Sequence, residues 1–131
     1  MDARDRGAAA VEFALLLLPL TLLLLGIINA GYLFGQKLAL NQAVREGARA
    51  AVVESTSGTP VATLVRNAAG TSLIDQPGSI AVSTSGACSS SGIGNNFTVT
   101  ASYVTAGIVP MPIPGFDSLT LNSEATFRCE W

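Results

Sequence analysis

Carboxylates and cysteines are the side chains from which chemistry could be built in this chain, because it contains no histidine. Histidine is the usual general base and metal ligand near neutral pH, so its absence removes the simplest catalytic and metal sites. The sequence also has no glycine-rich phosphate loop and no nucleophile elbow. The carboxylates of the C-terminal part show no spacing that indicates an acid–base pair; they are Asp75, Asp117, Glu124 and Glu130. We therefore predict that the protein is not an enzyme, and we expect no cofactor, no metal ion and no small-molecule substrate.

One carboxylate, Glu12, stands at the beginning of an apolar run that extends from Phe13 to Phe34. A charged side chain at the centre of a bilayer costs about 2.5 to 3.5 kcal/mol, and less near an interface. A glutamate at an interface could simply reach out to water. Its position at the start of so apolar a run nevertheless marks it as a candidate functional residue.

The apolar run predicts a transmembrane helix, to which we assign residues 8–35. Its uncharged part of about 22 residues would be about 33 Å long as a helix, enough to cross a hydrocarbon core of about 30 Å. Pro19 removes one helical hydrogen bond, which membrane helices tolerate. Asn29 and the glycines near it favour packing against other helices, because an amide in lipid needs a partner.

Two other interpretations of this run stay open, and its orientation is not set by charge. The run could be a simple uncleaved anchor, or a secretory signal peptide cut after Ala30, although signal peptides usually have shorter apolar regions. Lysines and arginines lie on both sides of the run, so their count does not favour an N-terminus inside the cell.

Charged residues are sparse over the whole chain, with 7 basic and 9 acidic residues. They form no basic patch in the sequence that could bind a nucleic acid, so we expect no nucleic-acid partner.

The helical pattern continues over residues 36–54 as an amphipathic extension. One face is polar, and the opposite face is lined by small apolar residues, namely Leu40, Val44, Gly47, Ala48, Ala51 and Val52. Small residues allow close packing, and the chain's own C-terminal domain is the natural neighbour. An unbroken helix from about Ala8 to Val53 would be roughly 70 Å long.

Residues 55–131 are predicted to form a small α+β domain. A Ser/Thr/Gly-rich linker precedes a short helix over Pro60–Ala69. Three runs with an apolar alternation of period two then predict an antiparallel sheet, at residues 79–84, 97–104 and 119–131. The fold class is therefore a long N-terminal helix followed by a short helix and a small antiparallel sheet.

The two cysteines, Cys88 and Cys129, both lie in this domain. One intramolecular disulfide is the simplest interpretation if the domain lies outside the cytoplasm, and two free thiols are the alternative if it does not. The disulfide would close a loop of about 40 residues and stabilise the fold by about 4 kcal/mol in the chain-entropy model. A disulfide would also place the N-terminus on the cytoplasmic side.

The start of the chain resembles the processing site of type IV pilin-like precursors. A charged leader, MDARDRG, is followed by four small or apolar residues, then Glu12, Phe13 and the apolar helix. More specifically, RGAAAVEFALLLLPL followed by NQAVREGARAAVV is similar to the TadE-like family of minor pilins or pseudopilins of the tight-adherence (Flp-type) pilus system. The resemblance covers about residues 6–53.

The resemblance implies that residues 1–7 are a leader, which a prepilin peptidase removes between Gly7 and Ala8. Glu12 would then be the fifth residue of the mature chain, with Glu12 and Phe13 as recognition and assembly residues. The implied partners are the membrane, the prepilin peptidase, and other pilin or pilus assembly proteins. The implied location is the bacterial inner membrane, with the C-terminal domain extracytoplasmic and possible incorporation into a surface pilus.

An anchored binding or adhesion module is the alternative function. Its contact surfaces would be the Ser/Gly-rich loop over residues 85–96 and the proline-rich loop over residues 109–115. Ordinary connecting loops explain the same composition.

Overall fold

A computed structural model of the chain describes residues 3–53, 60–70, 73–86, 88, 94–109 and 118–129. Within them the elements are α1 Ala3–Val53, α2 Val61–Ala69, a 3-10 turn Pro77–Ser79, β1 Ala81–Ser85, β2 Asn96–Thr105 and β3 Leu119–Arg128. The strands form one antiparallel sheet in the order β1-β2-β3. The predicted α+β class is confirmed, with the long helix, the short helix and the small sheet in the expected order.

Helix α1 runs unbroken through Pro19 for 51 residues, a length of about 76 Å. It begins at Ala3, before the predicted start at Ala8. In its apolar half, the Thr21 hydroxyl lies 2.9 Å from the carbonyl oxygens of both Leu17 and Leu18 and donates to this backbone. The one hydroxyl of that half is thus satisfied by its own helix, as a lipid environment requires.

The sheet packs one face on the second half of α1. On β2 the inward side chains are Phe97, Val99, Ala101 and Tyr103, and on β3 they include Leu121, Ser123 and Ala125. Register pairs such as Val99 with Ala125 and Tyr103 with Leu121 place these residues side by side. The predicted alternation of period two is therefore confirmed. The small inward residues Ala101, Ser123 and Ala125 leave room for α1 to pack on the sheet.

The ends of several elements differ from the predicted ones for local reasons. Strand β1 begins at Ala81 because Pro77–Ser79 forms a 3-10 turn, closed by the Ser79 amide to the Gln76 carbonyl at 3.0 Å. Strand β3 ends at Arg128, although the Cys129 amide still donates to the Asn95 carbonyl at 2.8 Å. Helix α2 begins at Val61, one residue after the predicted start, and most of the predicted linker before it lies outside the described residues.

The apolar face predicted for the helix extension is buried against α2 and the sheet. Its members Leu40, Val44 and Ala48 are fully buried, and α2 adds Val65 and Ala69 to the same core. At Gly47 the two helices approach each other closely. A Cβ at Gly47 would lie 2.5 Å from Val65 Cγ2 and 2.9 Å from the Val65 backbone nitrogen.

We expect Gly47→Ala to destabilise the fold by about 1 to 3 kcal/mol, the usual cost of overpacking. The clash with the Val65 backbone forces the two helices apart, and this outweighs the gain of up to about 1 kcal/mol in helix propensity. Denaturant titration of the full chain in detergent micelles measures the change. Gly31→Ala is the matched control, because a Cβ there meets no atom within 4 Å. Equal stability of the two variants would contradict close packing at Gly47.

Candidate functional site

The predicted processing and assembly residues lie on the uncovered end of α1. Gly7, Ala8, Glu12 and Phe13 are all exposed, and a Cβ at Gly7 would have no neighbouring atom within 4 Å. Glu12 lies four residues beyond Ala8, about 6 Å or one turn along the helix. The fold therefore does not enclose these residues in a pocket of this chain, and any role they have is toward another molecule.

The half of α1 that carries them is bare apolar surface. Residues Gly7–Val53 include an 18-residue window with a mean hydropathy of 2.5, and none of that window is buried within the protein. Burial of apolar surface is the main favourable term in folding and association, so a helix face of this kind requires lipid or another apolar surface. By length and composition, α1 can cross a membrane.

Three polar side chains of α1 bind the C-terminal domain where this bare half ends. Asn29, Tyr32 and Gln36 are spaced i, i+3 and i+7 and so lie on one helical face. We call them the polar seam. Toward the C-terminus the same face continues into the buried apolar residues of the core.

Asn29 fixes the segment that follows β2 to the helix through the backbone of Val109. Its Nδ2 donates to the Val109 carbonyl at 2.8 Å, and its Oδ1 accepts from the Val109 amide at 3.0 Å. Gly107 packs beside it, since a Cβ there would lie 3.1 Å from the Asn29 side chain. The sequence favoured a partner on another helix for Asn29. The structure gives it an intrachain partner instead, since its Nδ2 and its Oδ1 both bond the backbone of the single residue Val109.

Gln36 and Tyr32 extend the seam. Gln36 is fully buried, accepts a 2.6 Å hydrogen bond from the Thr105 hydroxyl and donates to the Leu73 carbonyl at 3.3 Å. The Tyr32 hydroxyl donates to Asp75 Oδ2 at 2.9 Å. The domain is thus held to α1 by polar bonds near the bare half and by apolar packing further along.

Sequence reasoning missed this seam as a unit. The signal that could have found it is the spacing of Asn29, Tyr32 and Gln36, in line with the buried face that begins at Leu40. Nothing in the sequence, however, identifies Val109 or Thr105 as the partners, since those residues are 80 and 69 positions away.

Of the four predicted surface carboxylates the structure describes two, Asp75 and Glu124, and their surroundings differ. Asp75 lines an open cleft of about 500 Å³ with Tyr32, Tyr103 and Ile108, and its described hydrogen bond comes from a tyrosine hydroxyl. Glu124 is exposed on β3 opposite Thr100, while Asp117 and Glu130 lie outside the described residues. Among the described residues no three Asp, Glu, His or Cys side chains are grouped as metal ligands.

The predicted disulfide is present. Cys88 and Cys129 are bonded, with their Cα atoms 5.5 Å apart and a sequence separation of 41. Cys129 is buried at the end of β3, while Cys88 lies in the connection between β1 and β2. The bond therefore ties the end of the last strand to the segment that leaves the first.

These features fit a class of membrane-anchored protein with one apolar N-terminal helix and a small α+β domain packed on its second half. A family model described as TadE-like protein matches residues 7–49. The match confirms the predicted TadE-like resemblance over the helix, and it does not extend to the sheet. No curated protein and no solved structure matches the chain. The TadE-like match indicates a protein associated with the Tad pilus.

Proposed function

We propose that this protein is a pseudopilin or minor pilin of the tight-adherence pilus, cut after Gly7 and active in pilus assembly or export. The observation that carries the proposal is the placement of Gly7, Ala8 and Glu12 at the exposed end of a bare apolar helix that the TadE-like family model matches. In this role Gly7, Ala8, Glu12 and Phe13 are recognition residues for the peptidase and for other pilin subunits. The protein is a substrate and an assembly component, and not itself an enzyme.

The seam supports a location for the membrane boundary within the predicted span of 8–35. Asn29 is bonded to the backbone of Val109, so the folded domain begins to cover α1 at that level. Residues 8–28 before it are about 31 Å long, which matches a hydrocarbon core of about 30 Å. The domain then lies outside the inner membrane on the extracytoplasmic side, where its disulfide is stable. A signal-peptide cut after Ala30 would remove Asn29 from its partner, which favours an uncut helix there.

Cleavage gives Glu12 a chemical role. The new α-amine of Ala8 would lie one turn before the carboxylate, at the positive end of the helix dipole. In an assembled bundle Glu12 would pair with the α-amine of a neighbouring subunit. Either pairing offsets the free-energy cost of removing the carboxylate from water. For an isolated glutamate in lipid no partner would offset that cost.

The experiment that tests the proposal is the intact mass of the protein purified from its native membrane, with and without reductant. We expect a chain that lacks residues 1–7 and gains about two daltons on reduction as two thiols form from one disulfide. A full-length N-terminus would contradict processing and favour an ordinary anchor. A chain that begins at Gly31 would identify the helix as a secretory signal peptide.

We expect Glu12→Gln to leave cleavage intact and to reduce incorporation into the pilus. Removing one partner of a buried ion pair costs about 3 to 5 kcal/mol, and each 1.4 kcal/mol is tenfold in an equilibrium. The ratio of pilus-bound to membrane-bound protein, compared by immunoblot, measures the effect. Thr21→Val is the control, because that hydroxyl bonds only backbone of its own helix in the described structure. Equal incorporation of Glu12→Gln and wild type would contradict the ion pair.

A further inference from the structure

The end of the domain nearest the bare half of α1 carries exposed apolar side chains. Among the described residues from 60 onward, the large apolar side chains that are exposed are Leu73, Val104, Ile108 and Leu119, between 47% and 62% accessible. We call these residues the apolar end. Scattered single exposures are normal on protein surfaces, but these belong to neighbouring chain segments at one end of the domain.

The polar seam sets the depth of these residues along α1. Ile108 lies between Gly107, which packs on Asn29, and Val109, which Asn29 binds, so Ile108 is held at the level of Asn29. Leu119 pairs in register with Thr105, whose hydroxyl binds Gln36. Gln36 is seven residues, about 10 Å, beyond Asn29 along the helix. Ile108 is therefore the member of the apolar end nearest the bare half.

The opposite end of the sheet is polar. There β1 ends at Ser85, β2 begins at Asn96 and β3 ends at Arg128, and Arg128 donates to the Gly94 carbonyl at 3.4 Å. The described part of the domain is thus apolar at one end and polar at the other. Its apolar end lies at the level of Asn29, where the bare apolar half of α1 ends.

We propose that the apolar end rests on the lipid surface of the same bilayer that α1 crosses, with Ile108 inserted at the boundary between headgroups and acyl chains. The proposal rests on the membrane-spanning role given to α1 above. Lipid is favoured as the occupant because two hydrogen bonds between Asn29 and Val109 hold the exposed Ile108 at the level where about 31 Å of apolar helix ends. Apolar side chains at this depth bind the interface by burial.

This contact would give the domain a second attachment to the membrane. A single helix is free to tilt, on average by about 20° in known structures. With the apolar end resting on the surface and the seam holding it to α1, the tilt of the helix and the orientation of the domain are set together. The exposed Phe34 and Leu38 of α1 lie beyond Asn29, and they would then face neighbouring proteins just outside the bilayer.

Tryptophan quenching by brominated lipid in nanodiscs tests the proposal on the full chain. Ile108→Trp is made in a Trp131→Phe background, and its emission is compared in ordinary phosphatidylcholine and in phosphatidylcholine brominated near the headgroup end of the acyl chains. Val53→Trp is the matched control, since Val53 is 62% exposed against 59% for Ile108 but lies about 36 Å further along α1 than Asn29. Leu20→Trp, near the middle of the proposed span, is the control for the membrane span and is compared in phosphatidylcholine brominated near the free ends of the acyl chains.

We expect bromination to reduce the emission of Ile108→Trp by about half and to leave that of Val53→Trp unchanged, because only interfacial side chains reach the acyl chains. Leu119→Trp should be quenched less than Ile108→Trp, since it lies further from the lipid, and it serves as the second variant if Ile108→Trp folds poorly. Near-ultraviolet circular dichroism checks the fold of each variant.

Equal emission of Ile108→Trp in the two lipids, with Leu20→Trp strongly quenched, would overturn the lipid contact and leave the membrane span standing. A blue-shifted but unquenched Ile108→Trp would also overturn it, because a protein surface would then cover the site. An unquenched Leu20→Trp would overturn the membrane span itself, and the lipid contact with it. Processing at Gly7 is measured separately by mass and is not decided by these outcomes.

Discussion

Replacing Gly7 by alanine or leucine is expected to leave residues 1–7 attached to the protein. A Cβ at Gly7 meets no atom within 4 Å, so the substitution does not disturb packing within the chain, and any loss of cleavage arises at the peptidase. The Gly7–Ala8 bond lies inside α1, so a peptidase that binds an extended segment must unwind the first turns. Alanine favours the helix by about 1 kcal/mol over glycine and opposes this step, while leucine adds bulk at the cut.

Intact mass of the membrane-extracted protein measures this effect. Gly31→Ala is the matched control, because it adds the same methyl group to α1 at another position with no atom within 4 Å, but outside the motif. We expect the control to be cut as completely as the wild type. Complete loss of residues 1–7 in Gly7→Leu would show that the glycine is not a recognition residue.

The sequence was sufficient to predict the main elements, because their patterns come from local physics. The alternation of Phe97, Val99, Ala101 and Tyr103 predicted β2 and its buried face, and the structure confirms both. The small residues of the helix extension predicted close packing, which occurs at Gly47 against α2. Each of these predictions needs only a periodicity that the side chains themselves impose.

What the sequence did not predict depends on pairings that are distant along the chain. Asn29 could be read as an amide that needs a partner, but the partner is the backbone of Val109, and every residue offers the same backbone groups. Strand β1 starts two residues later than predicted because Ser79 belongs to a 3-10 turn that begins at Pro77, and strand periodicity does not indicate such a turn. The structure gives little further information about the roles of Gly7 and Glu12, because their expected partners are other molecules.

The bare and covered halves of α1 explain why one helix can serve two purposes. From Gly7 to Leu24 its side chains are exposed and mostly apolar, which suits lipid and other helices. From Asn29 onward it carries the polar seam and then the core residues that the sheet requires. In its described residues the small domain adds one short helix to the sheet, so α1 supplies much of the surface against which the sheet is buried.

Removing the disulfide by Cys88→Ala with Cys129→Ala is expected to lower the free energy of unfolding by about 4 kcal/mol in the chain-entropy model. That is a large share of the about 5 to 15 kcal/mol that holds a typical domain folded. Alanine is preferred to serine because Cys129 is buried in the apolar core, where an unpaired hydroxyl would add a second cost. The strand end itself should persist, since Cys129 and Gly94 remain joined by a 2.9 Å backbone hydrogen bond.

Denaturant titration of the full chain in detergent micelles, followed by near-ultraviolet circular dichroism of the buried Tyr103, measures this loss. The wild type with reductant is the matched control and should be destabilised by a similar amount, whereas the double variant should not respond to reductant. Agreement between the two routes would show that the bond, and not a packing change at Cys129, is responsible. A change of less than about 1 kcal/mol by both routes, the size of one ordinary hydrogen bond, would contradict the chain-entropy value for this disulfide.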